Sequence, residues 1–172
     1  FYAATKKCNE VIAHSYSNIF KLPCTGLRFF TVYGPMGRPD MALFKFTKAI
    51  IGKKDVNLNN NGNHFRDFTY IDDIVNGIFK LINRPSKKNI PYDIFNIGNS
   101  NPKKLKEFLI EIEKQLGVKA KKKYRDLQLG DIYKTHASVE KLNKKTGYKA
   151  TTDIKTGIKK FINWYNEYFL SK

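Results

Sequence analysis

Short apolar runs alternate with helical stripes along the chain, and this alternation is the feature that most restricts its fold. Apolar residues at helical spacing predict helices over residues 3–20, 41–51, 71–82, 105–116, 138–145 and 154–169. Shorter runs between them are typical of strands, at residues 25–32, 56–58, 65–70, 92–97 and 119–124. Strands that alternate with helices predict an α/β fold.

Length and composition indicate a globular protein with one real core. The 172 residues are 41% hydrophobic, and we expect the apolar stripe of every predicted helix to be buried. In the first helix that stripe consists of Cys8, Ile12, Ser15 and Ile19, with Val11 beside it. No apolar run approaches the roughly 20 residues that cross a membrane, and the first residues do not resemble a signal peptide. A cytoplasmic protein without a membrane partner is therefore expected.

The formal charge of +17 indicates affinity for anions, but a nucleic-acid partner is not expected. Of the 32 basic residues, 27 are lysine and five are arginine, whereas proteins that recognise base edges depend on arginine. Lysines spread in this way are typical of a solvated surface. Cys8 and Cys24 lack the spacing of metal ligands, so we expect reduced thiols and no metal site.

Tyr2 and Lys6 are the first residues with a possible chemical role. They are four positions apart in a predicted helix, so their side chains should share one face. An ammonium close to a phenol favours the ionised phenol, and a tyrosine that exchanges a proton near neutral pH can act as a general acid and base. A Tyr-x-x-x-Lys pair also arises by chance in surface helices, so its context must decide.

Four stretches, in a fixed order, carry a resemblance to a known family. They are YAATKKCNE (residues 2–10), LRFFTVYGP (27–35), GRPDMA (37–42) and RDFTYIDD (66–73). With them the chain resembles the extended short-chain dehydrogenase/reductases, which include NAD-dependent epimerases and dehydratases, and within these the UDP-glucuronate 4-epimerases. The resemblance implies a Rossmann-like parallel sheet with a small α/β substrate-binding domain. It also implies NAD as cofactor, a UDP-sugar as substrate, and a homodimer in the complete enzyme.

One signature of that family is missing from these residues. There is no G-x-G-x-x-G or G-x-x-G-x-x-G turn for a dinucleotide, and the first glycine is Gly26. We therefore expect residues 1–172 to be the C-terminal portion of an epimerase: the catalytic helix, the last Rossmann strands and the substrate-binding domain. By itself the chain is expected to be inactive. Its first helix is expected to cause non-native association, a swapped dimer or disorder of the first residues.

The resemblance also implies roles for individual residues around NAD and the sugar. NAD takes a hydride from C4 of the sugar while a tyrosine phenolate removes the proton of the C4 hydroxyl, and the 4-keto sugar then receives the hydride on its other face. Tyr2 matches this base, and Lys6 its partner, which also holds the nicotinamide ribose. Phe29 and Val32 would lie beside the nicotinamide, and Thr31 at the sugar.

The remaining roles concern the anionic parts of the substrate. Arg38 would identify a uronate, because a guanidinium can hold a sugar carboxylate through two parallel hydrogen bonds. Arg66 matches the arginine on the diphosphate, Asp131 the turn beside the nucleotide ribose, and Lys45 a basic residue near the nucleotide. The three histidines match no catalytic position and receive no role; they are His14, His64 and His136.

Three functions remain open at this stage. The first is part of an epimerase that converts UDP-glucuronate to UDP-galacturonate for surface polysaccharide. The second is a nucleotide-sugar 4,6-dehydratase or decarboxylase of the same family, although the Arg38 loop argues against both. The third is a truncated remnant without catalytic activity, which retains affinity for UDP-sugars or has only a structural role.

Overall fold

The computed structural model describes residues 1–171 and has the alternating α/β architecture predicted from the sequence. The helices are α1 (Tyr2–Phe20), α2 (Ala42–Ile51), α3 (Ile71–Ile82), α4 (Leu105–Leu116), α5 (Glu140–Thr146) and α6 (Ile154–Phe169). The strands are β1 (Cys24–Phe29), β2 (Thr31–Tyr33), β3 (Asp55–Asn59), β4 (Phe65–Arg66), β5 (Phe68–Tyr70), β6 (Tyr92–Ile97), β7 (Lys103–Lys104) and β8 (Lys121–Arg125). A 3₁₀ turn, Asn60–Gly62, follows β3.

Most of the strand pairing is parallel. β1 pairs with β6, β2 with β5 and β3 with β8 in parallel, whereas β4 and β7 are antiparallel. The register of the first pair runs from Cys24 opposite Tyr92 to Phe29 opposite Ile97. Because parallel strands end at the same edge of a sheet, the segments that follow β1 and β6 leave from one edge.

Two runs predicted as single strands, 25–32 and 65–70, are each divided in the structure. The first breaks at Phe30, whose N–H donates to the Ile97 carbonyl at 3.2 Å, while the N–H of Thr31 donates to the Asp67 carbonyl at 3.1 Å. The chain therefore changes partner from β6 to β5 at this point. The two-residue strand β7 was not predicted, since a pair of lysines has no strand-like pattern.

The core consists of two hydrophobic clusters. The larger lies among α2, α4, α6, β3 and β5, where the rings of Phe68 and Phe108 stack with centroids 3.9 Å apart. The smaller lies among α3, α5 and β6, and here the Tyr148 hydroxyl donates to the Gly98 carbonyl at 3.0 Å. The predicted burial of the apolar stripes is correct for the middle of α4 and for most of α6.

The predicted burial is wrong for α1. Its stripe faces solvent: Cys8 and Ser15 are exposed, and Val11, Ile12 and Ile19 are each more than half exposed. Part of the α3 stripe is exposed as well, namely Val75, Phe79 and Ile82.

The opposite face of α1 packs on β1 and β6. Ser17 is buried and Ala13 is half-buried there, and such small side chains allow the helix to approach the strands closely. The Tyr92 hydroxyl on β6 donates to the Glu10 carbonyl at 2.9 Å. Polar and small residues, and not the apolar stripe, therefore attach α1 to the sheet.

Asp67 is a fully buried carboxylate that connects three segments. Its Oδ1 accepts a hydrogen bond from the Asn99 N–H at 2.8 Å, and its Oδ2 accepts one from the Ala137 N–H at 2.8 Å. The Asp67 N–H donates to Thr135 Oγ1 at 3.2 Å. The junction of β4 and β5 is thereby tied to the segment after β6 and to residues 135–137.

Asp67→Ala is expected to destabilise the protein strongly. It leaves the buried Ala137 N–H and the partly buried Asn99 N–H without acceptors, and each unsatisfied group costs about 1–3 kcal/mol, so a loss of about 2–5 kcal/mol is expected in the free energy of unfolding. Urea denaturation followed by far-UV circular dichroism measures this loss. Asp55→Ala, at an exposed position at the start of β3, is the matched control. A change within about 0.5 kcal/mol for Asp67→Ala would contradict this account.

Candidate functional site

A hollow of about 420 Å³ opens between the start of α1 and the segment that follows β1 and β2. Four of the predicted site residues line it: Tyr2, Phe29, Val32 and Arg38. The loop 34–38 forms one wall. Phe29 is half exposed, so its ring presents an open apolar surface to this space.

Tyr2 and Lys6 share one face of α1, as their spacing predicts. Lys6 Nζ lies over the Tyr2 ring, 5.2 Å from its centroid, in the geometry of a cation–π contact. The Tyr2 side chain is three-quarters exposed, so its hydroxyl remains accessible to a molecule in the hollow.

Arg38 is held by Asp40, two residues further along the loop. Its Nε donates to Asp40 Oδ1 at 3.0 Å and its Nη2 donates to Asp40 Oδ2, so the guanidinium grips a carboxylate through two bonds. These bonds lower the pKa of Asp40 below its ordinary value, and the charge of exposed Lys45 on α2 contributes slightly. Arg38 also shares a small cavity of about 30 Å³ with Thr31.

Arg66 and Asp131 lie together in a second cluster of charged side chains. This cluster also contains His64, to which the sequence assigned no role. Arg66 Nη2 donates to Asp131 Oδ1 at 2.7 Å, and its Nη1 donates to the Phe65 carbonyl at 3.0 Å. The buried His64 places Nε2 3.4 Å from Asp131 Oδ2. Among the residues that line the hollow in the described chain, neither Arg66 nor Asp131 occurs.

The position of α1, and so of Tyr2 and Lys6, depends on a salt bridge to β1. Glu10 accepts two hydrogen bonds from Arg28, from Nε at 2.6 Å and from Nη2 at 2.8 Å, and a third from Lys7 Nζ at 2.9 Å. The bonds from Arg28, and then that from Lys7, lower the pKa of Glu10 from 4.5 to about 2. The sequence offered no local signal for this pair, because its members are 18 residues apart.

Within the described part of the chain, no three His, Cys, Asp or Glu side chains are grouped to hold a metal ion. Among the helices of residues 1–171, none is both long and apolar enough to cross a bilayer.

Comparison with known proteins assigns the chain to a family. The sequence model of the NAD dependent epimerase/dehydratase family matches residues 1–98, which is more than half of the chain. The chain belongs to this family. The match includes every residue that lines the hollow and the strand pairs β1–β6 and β2–β5, whereas Asp131 lies outside it.

Individual relatives in the epimerase/dehydratase family cover nearly all of the chain. Protein CapI from Staphylococcus aureus is 50% identical over 98% of this chain and 54% of its own length. UDP-glucuronate 4-epimerase 4 from Arabidopsis thaliana is 46% identical over 98% of this chain and 41% of its own. The crystal structure of UDP-glucuronic acid 4-epimerase from Bacillus cereus, in complex with UDP-glucuronic acid and NAD, superimposes with a TM-score of 0.90 at 31% identity. It covers 98% of this chain and 53% of that one.

The chain spans about half the length of the curated relatives it matches. The α/β fold of these residues is shared with the complete epimerases. The activity, substrate and cofactor of those larger proteins are therefore a matter of proposal for this chain.

Glu10→Gln is expected to loosen α1 in a pH-dependent way. A carboxylate whose pKa is depressed in the folded protein stabilises it above the unfolded value of 4.5, and this contribution disappears as the pH falls towards 2. The wild-type protein should therefore protect the α1 amides from hydrogen exchange better than Glu10→Gln at pH 6, after correction for intrinsic rates. Near pH 2 the two should exchange alike.

Glu167→Gln, at an exposed position on α6, is the control and should match the wild type at both pH values. Equal protection of α1 in the wild type and Glu10→Gln at pH 6 would show that the bond to Arg28 does not hold the helix.

Proposed function

We propose that this chain forms the sugar-binding and proton-transferring part of a nucleotide-sugar 4-epimerase that converts UDP-glucuronate to UDP-galacturonate with NAD. In this proposal residues 1–172 supply the catalytic helix, the last Rossmann strands and the substrate-binding domain. The observation that carries it is the presence of a phenol, Tyr2, and a carboxylate-gripping guanidinium, Arg38, in the lining of one hollow. Family membership, and relatives named as UDP-glucuronate 4-epimerases, support the same assignment.

The residues around the hollow fit the nicotinamide end of NAD. Phe29 and Val32 provide an apolar surface for a flat ring, while Tyr2 and Lys6 provide hydrogen-bonding groups for a ribose. NAD, when bound, accepts a hydride from C4 of the sugar and returns it. The protein contributes orientation and proton transfer.

Tyr2 is the proposed acid and base. Its hydroxyl, open to the hollow, would take the proton of the C4 hydroxyl as that carbon is oxidised and give it back on reduction. The ammonium of Lys6, which already lies over the ring, would stabilise the phenolate by its charge. Thr31, in the adjoining cavity, would contact the sugar.

Arg38 is the proposed selectivity residue for a uronate. Its fork already holds one carboxylate, that of Asp40, and the side chains of Arg38 and Asp40 are 75% and 56% exposed. An exposed pair of this kind contributes little stability, so a sugar carboxylate can replace Asp40 at small cost. A neutral hexose has no carboxylate that could form two hydrogen bonds with the Arg38 guanidinium.

The remaining predicted residues concern the nucleotide. Arg66 is proposed to bind the diphosphate, because a planar guanidinium suits two phosphate oxygens, and its partner Asp131 is proposed to border the ribose. Lys45 would add positive charge near the nucleotide, as it does beside Asp40.

The exposed apolar stripe of α1 fits a partner surface. The proposal follows the family in placing a homodimer in the complete enzyme, with the stripe of α1 covered by protein. The cytoplasm is the proposed location, in keeping with the free thiols of Cys8 and Cys24.

Arg38→Ala is expected to remove the preference for a uronate. Loss of a charged two-bond contact of about 1.5–3 kcal/mol should weaken UDP-glucuronate binding by about 10- to 100-fold and leave UDP-glucose binding within about twofold. Isothermal titration of the 172-residue protein with both ligands measures this difference. Arg84→Ala, on the segment after α3, is the matched control and should bind both ligands like the wild type. An equal loss for both ligands would remove the case for a uronate.

Asp40→Ala tests whether Asp40 competes with the sugar carboxylate for Arg38 or orients Arg38 to bind it. If Asp40 only occupies the Arg38 guanidinium until substrate arrives, its removal should strengthen UDP-glucuronate binding by up to about fivefold, since exposed pairs are worth less than about 1 kcal/mol. Weaker binding of UDP-glucuronate by Asp40→Ala would indicate that Asp40 orients Arg38 for the sugar.

The 172-residue polypeptide is expected to form no UDP-galacturonate from UDP-glucuronate and NAD⁺ beyond the level of a Tyr2→Phe control. The residues present provide no Gly-rich turn for the pyrophosphate of the cofactor. Chromatographic separation of the two UDP-sugars measures the product. Turnover comparable with that of a complete epimerase, and abolished by Tyr2→Phe, would refute the expectation of inactivity while supporting the role of Tyr2.

A further inference from the structure

His64 is a buried polar side chain whose role the proposed function does not explain. Its side chain is only 3% exposed, and its Nε2 makes no hydrogen bond to any residue among 1–171. Unpaired buried nitrogens are uncommon in folded proteins, because removing them from water without a partner costs free energy. This nitrogen lies 3.4 Å from Oδ2 of Asp131, just outside ordinary hydrogen-bond distance.

The same Asp131 carboxylate holds the arginine proposed to bind the diphosphate. Its Oδ1 accepts from Arg66 Nη2 at 2.7 Å, while its Oδ2 faces His64. The carboxylate therefore lies between a permanent cation on one oxygen and, on the other, a side chain that can gain a proton. Any gain in the interaction of His64 with Asp131 reduces the negative charge available to Arg66.

The elements that adjoin His64 carry mostly basic residues. Charged groups on the elements packed against it are Arg66 on β4, Lys103 and Lys104 on the paired strand β7, Lys106 at the start of α4, and Asp126, Asp131 and Lys134 in the segment after β8. Asp131 is the carboxylate within reach of the imidazole. A proton on His64 would therefore be stabilised chiefly by Asp131.

We propose that His64 is a positioning residue for the nucleotide: by taking a share of the Asp131 carboxylate, it sets how freely Arg66 can bind a diphosphate. This inference rests on the proposed function, in which Arg66 contacts the diphosphate. When His64 is neutral, Arg66 is the main counter-charge of Asp131. When His64 is protonated, it holds Asp131 itself, and the Arg66 guanidinium can turn to phosphate oxygens.

The direction of the pH effect follows from these contacts. Protonation of His64 adds a positive charge next to Arg66 and weakens the attraction between Asp131 and Arg66. Both changes favour binding of an anionic ligand. Affinity for a nucleotide diphosphate should therefore rise as the pH falls through the range in which histidine takes up a proton. By linkage, a bound diphosphate should make His64 easier to protonate.

UDP-glucose is the suitable probe, because its diphosphate keeps the same charge between pH 8 and pH 6 and its sugar carries no carboxylate for Arg38. Isothermal titration of the wild-type protein should show binding about fivefold tighter at pH 6 than at pH 8, the lower end of typical coupling between sites. His64→Gln, which retains an N–H donor but not the charge change, should bind with nearly the same affinity at both pH values. Asp131→Asn should also lose the pH dependence.

His136→Gln is the matched control, since His136 is exposed, and it should keep the wild-type pH dependence. An independent measurement on the unaltered protein follows the His64 imidazole by NMR during a pH titration. Saturating UDP-glucose should move its protonation midpoint to higher pH.

The outcomes separate this inference from the proposed function. If the wild-type protein binds UDP-glucose equally at both pH values, or His64→Gln keeps the wild-type pH dependence, the role of His64 is wrong and the proposed function stands. An unmoved His64 midpoint on ligand binding overturns the inference in the same way. Absence of UDP-glucose binding by the wild type at either pH overturns both.

Discussion

The buried carboxylate of Asp67 is the interaction on which the arrangement of both candidate clusters depends. Its backbone carbonyl accepts a hydrogen bond from the Thr31 N–H, where the chain passes from β1 to β2 beside the hollow. Its backbone N–H and carboxylate bind residues 135–137, the end of the segment that carries Asp131. Asp67 thus fixes the start of β2, beside the hollow, relative to the segment that carries Asp131. A buried charge can do this because each of its oxygens is satisfied by a backbone N–H.

A strongly basic chain uses its few acidic residues as anchors. Asp93 on β6 accepts hydrogen bonds from Lys88, Lys141 and Lys145; burial opposes its ionisation, but these three bonds prevail and lower its pKa. Glu10 attaches α1 to β1 in the same manner. The remaining excess of basic side chains gives the chain a formal charge of +17, which favours anionic ligands in general.

The sequence predicted the positions of the helices and strands well, but it predicted only some of their contacts. The helix over 105–116 and the strand over 92–97 were located correctly, because a strong apolar period and a terminal glycine mark their ends. The burial of the α1 stripe was predicted wrongly, since a stripe indicates only that an apolar surface exists and not what covers it. Of the residues that the family resemblance implied around NAD and the sugar, Tyr2, Phe29, Val32 and Arg38 line one hollow, whereas Lys6 and Thr31 are not among its lining residues; the roles of all six stay predictions.

The sequence alone determined the α/β alternation, the family, and the residue types available for acid–base and anion-binding chemistry, because these are encoded within short stretches. Only the tertiary structure decided which of those residues meet. It brought His64 and Arg66 to opposite oxygens of Asp131, more than 60 residues away, and Glu10 to Arg28. These contacts join side chains that belong to different elements and are far apart in the sequence. Their geometry is set by the packing of the whole core and by no local pattern.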